Sequence, residues 1–158
     1  MAPASQTAPV TLRLTRTFAA SRETVFRAWT DPEAIKRWSA SGDLTVAVAE
    51  VDLRVGGRYH IHMQAPGGAI HKVTGVYQLV DPPRRIAYTW CWETWPEAGE
   101  TLVTVEFHDR GAQTELVLTH ERFPSMEVRS SHELGWTSAL DKFATVVPAG
   151  APPTGLRP

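Results

Sequence analysis

Over residues 125–147 the apolar side chains recur at helical spacing, and a helix of that length has to be covered on one side. Val128, Gly135, Trp136, Ala139, Leu140, Phe143 and Val147 fall on one stripe, while Arg129, Glu133, Thr137 and Asp141 fall on the opposite side. Ser125 is placed to cap the first turn, Glu127 stands where the helix dipole favours an acid, and Pro148 disfavours helix in the residue before it. A stripe that carries a tryptophan needs a wide apolar surface to lie on, and the preceding residues read as strands that supply one.

Val10 to Phe18 alternates apolar and polar residues, the mark of a half-buried strand. Ser21 then caps a short helix with Val25, Phe26 and Trp29 on one face, and Asp31-Pro32-Glu33 starts a second that carries Ile35 and Trp38 inward. From Leu44 the period becomes two, which predicts strands over 44–53, 58–63, 71–80, 84–92, 100–108 and 113–120. Their connections are short and rich in Gly and Pro, as antiparallel hairpins require. With no repeat and no linker inside 10–147, the expectation is one α+β domain whose long helix crosses a sheet. Residues 1–9 and 148–158, small and proline-containing, are expected to be flexible termini.

A chain of 158 residues fits one domain with a sizeable core. Sixteen basic against seventeen acidic residues give no field that would attract nucleic acid or an anionic membrane, so neither is expected as a partner. The start, MAPASQTAPV, has no apolar run, and no stretch approaches the length of a membrane span, so the reading is a cytoplasmic protein. The single cysteine, Cys91, excludes an internal disulfide framework and agrees with a reducing compartment.

Strand parity assigns the faces. Tyr59, Ile61 and Met63 share a side; Val73, Gly75, Tyr77 and Leu79 match it on the next strand, followed by Ile86, Tyr88, Trp90 and Trp92. Val103, Val105 and Phe107, then Leu116, Leu118 and His120, complete an apolar face with a few polar tips. Four of the six tryptophans, Trp29, Trp38, Trp90 and Trp136, converge from different elements. Aromatic residues fill cores readily, but apolar walls with hydrogen-bonding tips also describe a small-molecule site. The cavity is expected to be lined by Trp29, Trp38, Tyr59, Ile61, Tyr77, Tyr88, Trp90, Val105, Leu118, His120, His132, Trp136 and Leu140.

Other constellations carry less. His60 and His62 share a strand face, but parity turns both to solvent with no third ligand beside them, so no metal is expected. Gly56-Gly57 and Gly67-Gly68 join strands rather than opening a helix and read as hairpin turns, not phosphate cradles. Cys91 lies on the outward parity and reads as an inert thiol. No inward carboxylate is evident; the inward titratable groups are His120, Tyr77, Tyr88 and His132, of which His120 is the proton-transfer candidate with Tyr88 to orient a substrate, and no cofactor is expected.

Four stretches together resemble the activator of heat-shock-protein-90 ATPase homologue-like family, within the START-like helix-grip superfamily. They are ETVFRAWTDPEAIKRW at 23–38, DLRVGGRYHIHM at 52–63, GVYQLVDPPRRIAYTW at 75–90 and GWTSALDKFATVV at 135–147. Ser39-Ala40-Ser41-Gly42 departs from the family's usual continuation after Trp38, at the mouth of the expected cavity. The resemblance implies a curved antiparallel sheet of about seven strands gripping the long helix, often as a homodimer, with a hydrophobic cavity between them and no universal catalytic residues. The leading expectation is a non-enzymatic protein that binds a small hydrophobic, aromatic or lipid-like molecule. A chaperone-regulating interaction module, with the stress-response role this implies, is placed second, and a cyclase or aromatase third. Trp92 and Trp95 are expected to form an exposed cluster through which a homodimer forms, over 92–99.

Overall fold

The computed structural model describes residues 10–148. The segments 1–9 and 149–158, expected to be flexible, lie outside the described residues. The element order is β1 (Val10–Phe18), α1 (Arg22–Thr30), α2 (Pro32–Trp38), β2 (Thr45–Val51), β3 (Arg58–Gln64), β4 (Ile70–Asp81), β5 (Arg85–Trp92), β6 (Glu100–Arg110), β7 (Gln113–Phe123) and α3 (Met126–Val146). A single 3-10 turn, Pro96–Ala98, interrupts the β5–β6 connection.

Capping sets the helix ends. Ser21, Asp31 and Ser125 each accept a hydrogen bond from a backbone amide of the first turn, satisfying donors that have no partner inside the helix. Pro32 follows Asp31 directly, at a helix position where a missing amide proton costs nothing.

All strand pairs are antiparallel, in the order β1-β7-β6-β5-β4-β3-β2. Six strands form a meander, and β1 closes onto β7, so β1 and β2 are the two edges. The inner face packs on α3, whose buried residues are Val128, His132, Trp136, Ala139, Leu140 and Phe143. This is the α+β helix-grip architecture, with two short helices following the first strand.

Parity fails at two places, each at a β-bulge, where one extra residue reverses the side on which the following residues point. Between Tyr77 and Leu79 the register with β5 shifts, so Val80, paired with the fully buried Ile86, packs on the core in place of Leu79. At the other, β7 runs on past His120. The register breaks between Val10 and Leu12 of β1, Arg122 takes a positive φ of 74°, and Phe123 returns to the core.

Gly75 holds the sheet close at a third point. It stands opposite Tyr59 in the β3–β4 register, and a Cβ there would overlap the Thr89 carbonyl and lie 2.7 Å from the Tyr59 ring. Without that Cβ, Tyr59 passes over β4 and donates its hydroxyl to Thr89 O at 2.6 Å on β5.

Candidate ligand site

Where α3 faces the sheet, four indoles, three phenols and two imidazoles meet. Trp29 stacks on Trp136 with ring centroids 5.9 Å apart and lies 4.3 Å from Trp38. Its Nε1 donates to the Tyr88 hydroxyl at 3.1 Å, and Trp38 Nε1 donates to Ala28 O at 2.9 Å. Tyr59, Tyr77 and Tyr88 form a triangle with centroids 5.3 to 5.7 Å apart. Burial raises the pKa of all three phenols; neighbouring phenols push Tyr59 further, and the Trp29 bond opposes the rise at Tyr88. They are neutral hydroxyls throughout the physiological range.

The two histidines sit in a separate network. Trp136 Nε1 donates to His120 Nδ1 at 2.9 Å, which places the proton on Nε2, and Nε2 donates to Thr101 Oγ1 at 2.6 Å. Thr101 in turn donates to Trp90 O at 3.1 Å. Trp92 Nε1 donates to His132 Nε2 at 2.9 Å, so His132 Nδ1 carries the proton and donates to Val128 O. Burial lowers the pKa of both rings; nearby His132 lowers His120 further, and the Val128 carbonyl partly restores His132. Both are held neutral, with every ring nitrogen engaged.

Three voids adjoin one another between α3 and the sheet, each sharing lining residues with the next. The innermost, about 30 Å³, is lined by Trp29, Trp38, Tyr59, Ile61, Tyr77, Tyr88, Trp90 and Trp136 together with Ile35, Ser39 and Val51. A throat of about 60 Å³ follows, sharing Ser39, Trp90 and Trp136 with the first and bringing in Ser41, Leu44, Trp92 and Gly135. A surface cleft of about 350 Å³ continues from it, sharing Ser41, Leu44, Trp92 and Gly135 and adding His71, Thr94, Trp95, Ser131 and His132. Gly135 keeps the passage wide, since a Cβ there would approach only Ser41 Oγ, at 3.9 Å. The opposite rim is tethered to α3: Lys142 Nζ donates to Ala40 O at 2.7 Å and Gly42 O at 2.8 Å, and Gly42 N donates to Ser138 Oγ at 2.8 Å.

Eight of the thirteen residues expected around a cavity therefore meet at the inner void, and His132 reaches the surface cleft. Val105, Leu118, His120 and Leu140 line none of the three voids and are fully buried in close-packed core. His120 is also withdrawn as a proton-transferring group opposite Tyr88: both its nitrogens are occupied and the ring is 0% exposed. The interior is largely filled by its own aromatic rings, and most of the open volume lies further out, in the surface cleft. Trp92 and Trp95 do not form an exposed patch. Both are half-buried, and Trp95 stacks on His132 at 6.0 Å with the planes 8° apart.

Thr101, Ser39 and Phe123 were absent from the sequence-based set. Thr101 shares parity with Val103 and Val105, so its inward position was readable. Phe123, 4.3 Å from His120, was hidden by the bulge. His60 bonds to Thr74 at 3.2 Å, and among the described residues no three His, Cys, Asp or Glu side chains gather as metal ligands.

A curved antiparallel sheet closed around one long C-terminal helix, with aromatic rings between them, defines the START-like helix-grip class. The chain belongs to the "Activator of Hsp90 ATPase homolog 1-like protein" family, whose model matches residues 19–148. Among curated relatives, the mouse "Activator of 90 kDa heat shock protein ATPase homolog 1" is 28% identical over 125 residues, and its human counterpart is 26% identical. The match covers 79% of this chain but 33% of either relative, so the chain spans about a third of their length. Among solved structures, a Chromobacterium violaceum protein superposes with a TM-score of 0.76 at 30% identity, covering 87% of this chain and 97% of that one. The AHSA1 protein of Silicibacter pomeroyi gives 0.76 at 30% identity, covering 86% and 96%. An Arthrobacter aurescens protein gives 0.78 at 20% identity, covering 94% and 92%, a likeness of fold alone. No helix among the described residues is long and apolar enough to cross a membrane.

Proposed function

We propose that the chain is a binding protein for a small, largely apolar molecule, which enters between Gly135 of α3 and the segment 39–44 and lodges against Trp92, Trp90 and Trp136. The observation that carries this reading is the continuity of the three voids: each shares lining residues with the next, from the surface cleft to the innermost rings. Apolar walls with a few placed polar groups are the composition of small-molecule sites, and the cleft falls in their size range.

Titration of the native protein with a panel of apolar aromatic compounds, followed by tryptophan emission and thermal shift, tests the reading. Saturable quenching or a spectral shift is expected, and Gly135→Leu, which fills the throat, should abolish it while the fold persists. A flat response across the panel would remove the proposal.

A second reading, regulation of a chaperone ATPase, rests on the mouse and human relatives that carry that name. It predicts that the purified chain raises the ATP turnover of the 90 kDa heat-shock protein, and an unchanged rate at saturating chain would dismiss it.

A further inference from the structure

Among the described residues three buried side-chain polar atoms lack a hydrogen-bond partner: Arg22 Nε, Ser39 Oγ and Trp90 Nε1. Two of the three belong to residues that line both the inner void and the throat. Such orphans are uncommon, because a buried polar group without a partner costs free energy. Four of the five other indoles sharpen the contrast. Trp29, Trp38, Trp92 and Trp136 each donate to a protein acceptor, whereas Trp90, only 6% exposed, donates to none.

Building on the ligand-binding reading, we propose that Trp90 Nε1 and Ser39 Oγ form a polar anchor for a neutral ligand bearing a hydrogen-bond acceptor, a ketone, ester or ether oxygen on an apolar frame. Trp90 is a donor only, and the Ser39 hydroxyl can donate as well, so an acceptor oxygen satisfies both. No Lys, Arg, Asp or Glu lines any of the three voids, so a carboxylate drawn into the throat would be a buried charge without a counter-ion. The histidines nearest the passage offer no compensating cation: His132 is held neutral by the Trp92 and Val128 bonds, and His71 stands at the outer cleft. The apolar frame lies against Trp92, Trp136 and Leu44 in the throat.

Calorimetric titration with acetylnaphthalene, ethylnaphthalene and naphthoate tests the assignment on the native protein and on Trp90→Phe and Ser39→Ala. The native protein should bind the ketone and the hydrocarbon and reject the carboxylate. Trp90→Phe keeps an aromatic ring and removes the donor, so it should weaken the ketone by about three- to tenfold more than the hydrocarbon, the worth of one neutral hydrogen bond. Ser39→Ala should show the same selectivity, which keeps the test valid if the tryptophan variant fails to fold. Ketone binding should also displace the Trp90 indole proton resonance downfield. Equal losses for ketone and hydrocarbon in both variants would overturn the anchor and leave the ligand-binding reading standing. Preferential binding of naphthoate would overturn the neutral-ligand assignment, and no binding of any probe to the native protein would overturn both readings together.

Discussion

The two halves of α3 pack against the sheet by different means. Toward its C-terminal end, Phe143 makes edge contacts with Phe18, Trp29 and Trp38 at 5.0 to 5.1 Å, and Leu140 and Phe143 are fully buried. On its core side that half is sealed by shape, and its hydrogen bonds, through Ser138, Asp141 and Lys142, lie at the rim and surface. Toward the N-terminal end, His132 and Trp136 are held by hydrogen bonds from and to Trp92, His120 and Val128, and the cleft opens beside Gly135. Close packing stabilises without needing direction, whereas hydrogen bonds fix rings at set distances and tolerate a gap between them. One half therefore holds the fold, and the other can keep a passage open without collapsing into it.

The largest effect expected from breaking this contrast is at Phe143. Phe143→Ala should cost about 3–5 kcal/mol in urea unfolding, as a large truncation in a close-packed core does. Ligand titration of the surviving folded fraction should be unchanged; a loss below about 1 kcal/mol would mean that the sealed half is not sealed. At the other half, His120→Leu keeps the ring site apolar but leaves Trp136 Nε1 and Thr101 Oγ1 without the imidazole. Its expected cost is about 1–3 kcal/mol, the range for stranding a buried polar group.

Acid should act on the same half. The folded-state pKa of His120 lies below its ordinary value of 6.5, so the unfolded chain takes up the proton first. Stability is then full above 6.5 and falls as the pH drops below it, by at most about 1.4 kcal/mol per pH unit for this one ring. His132, shifted the same way, adds to the slope. His120→Leu should flatten the fall measured between neutral and mildly acid pH; an identical slope in the variant would assign the acid sensitivity elsewhere.

Two smaller changes sharpen the comparison. Gly135→Ala should stabilise by roughly 0.5–1 kcal/mol, because Gly is disfavoured in a helix interior and the added methyl meets only Ser41 Oγ. Thermal melts should rise while binding persists, in contrast to the Leu variant. Removing the exposed ion pair between Arg16 and Asp141, 3.0 Å apart, should change unfolding by less than about 1 kcal/mol.

Much of this organisation was readable from the chain. The stripe on α3, the caps at Ser21 and Ser125 and the turn at Asp31-Pro32 each depend on neighbours within a few residues, and local chemistry determined them. Strand faces followed wherever the period of two held. They failed at Leu79 and Val80 because both are apolar: a pattern of polarity cannot reveal the extra residue of a bulge when the residues on each side of it look alike. The site was harder, since aromatic residues line cavities and fill cores with equal ease. Four inward residues, Val105, Leu118, His120 and Leu140, lie in the packed core, a distinction set by how rings from six strands and three helices interdigitate. Ser39 stood out only as part of the departure after Trp38, because the missing partner of its hydroxyl is revealed by neighbouring atoms alone.

Gly75 has a consequence for how this sequence can vary. Because the Tyr59 ring and the Thr89 carbonyl occupy the space a Cβ would need, even alanine there must displace a ring or push neighbouring strands away from each other. In a saturation library scored by folding, position 75 should be nearly immutable, while position 59 should accept substitutions more readily, since a smaller side chain leaves the strands in place. The asymmetry would run one way: a residue lost from Tyr59 leaves space that neighbours or water can fill, but a residue gained at Gly75 has nowhere to go.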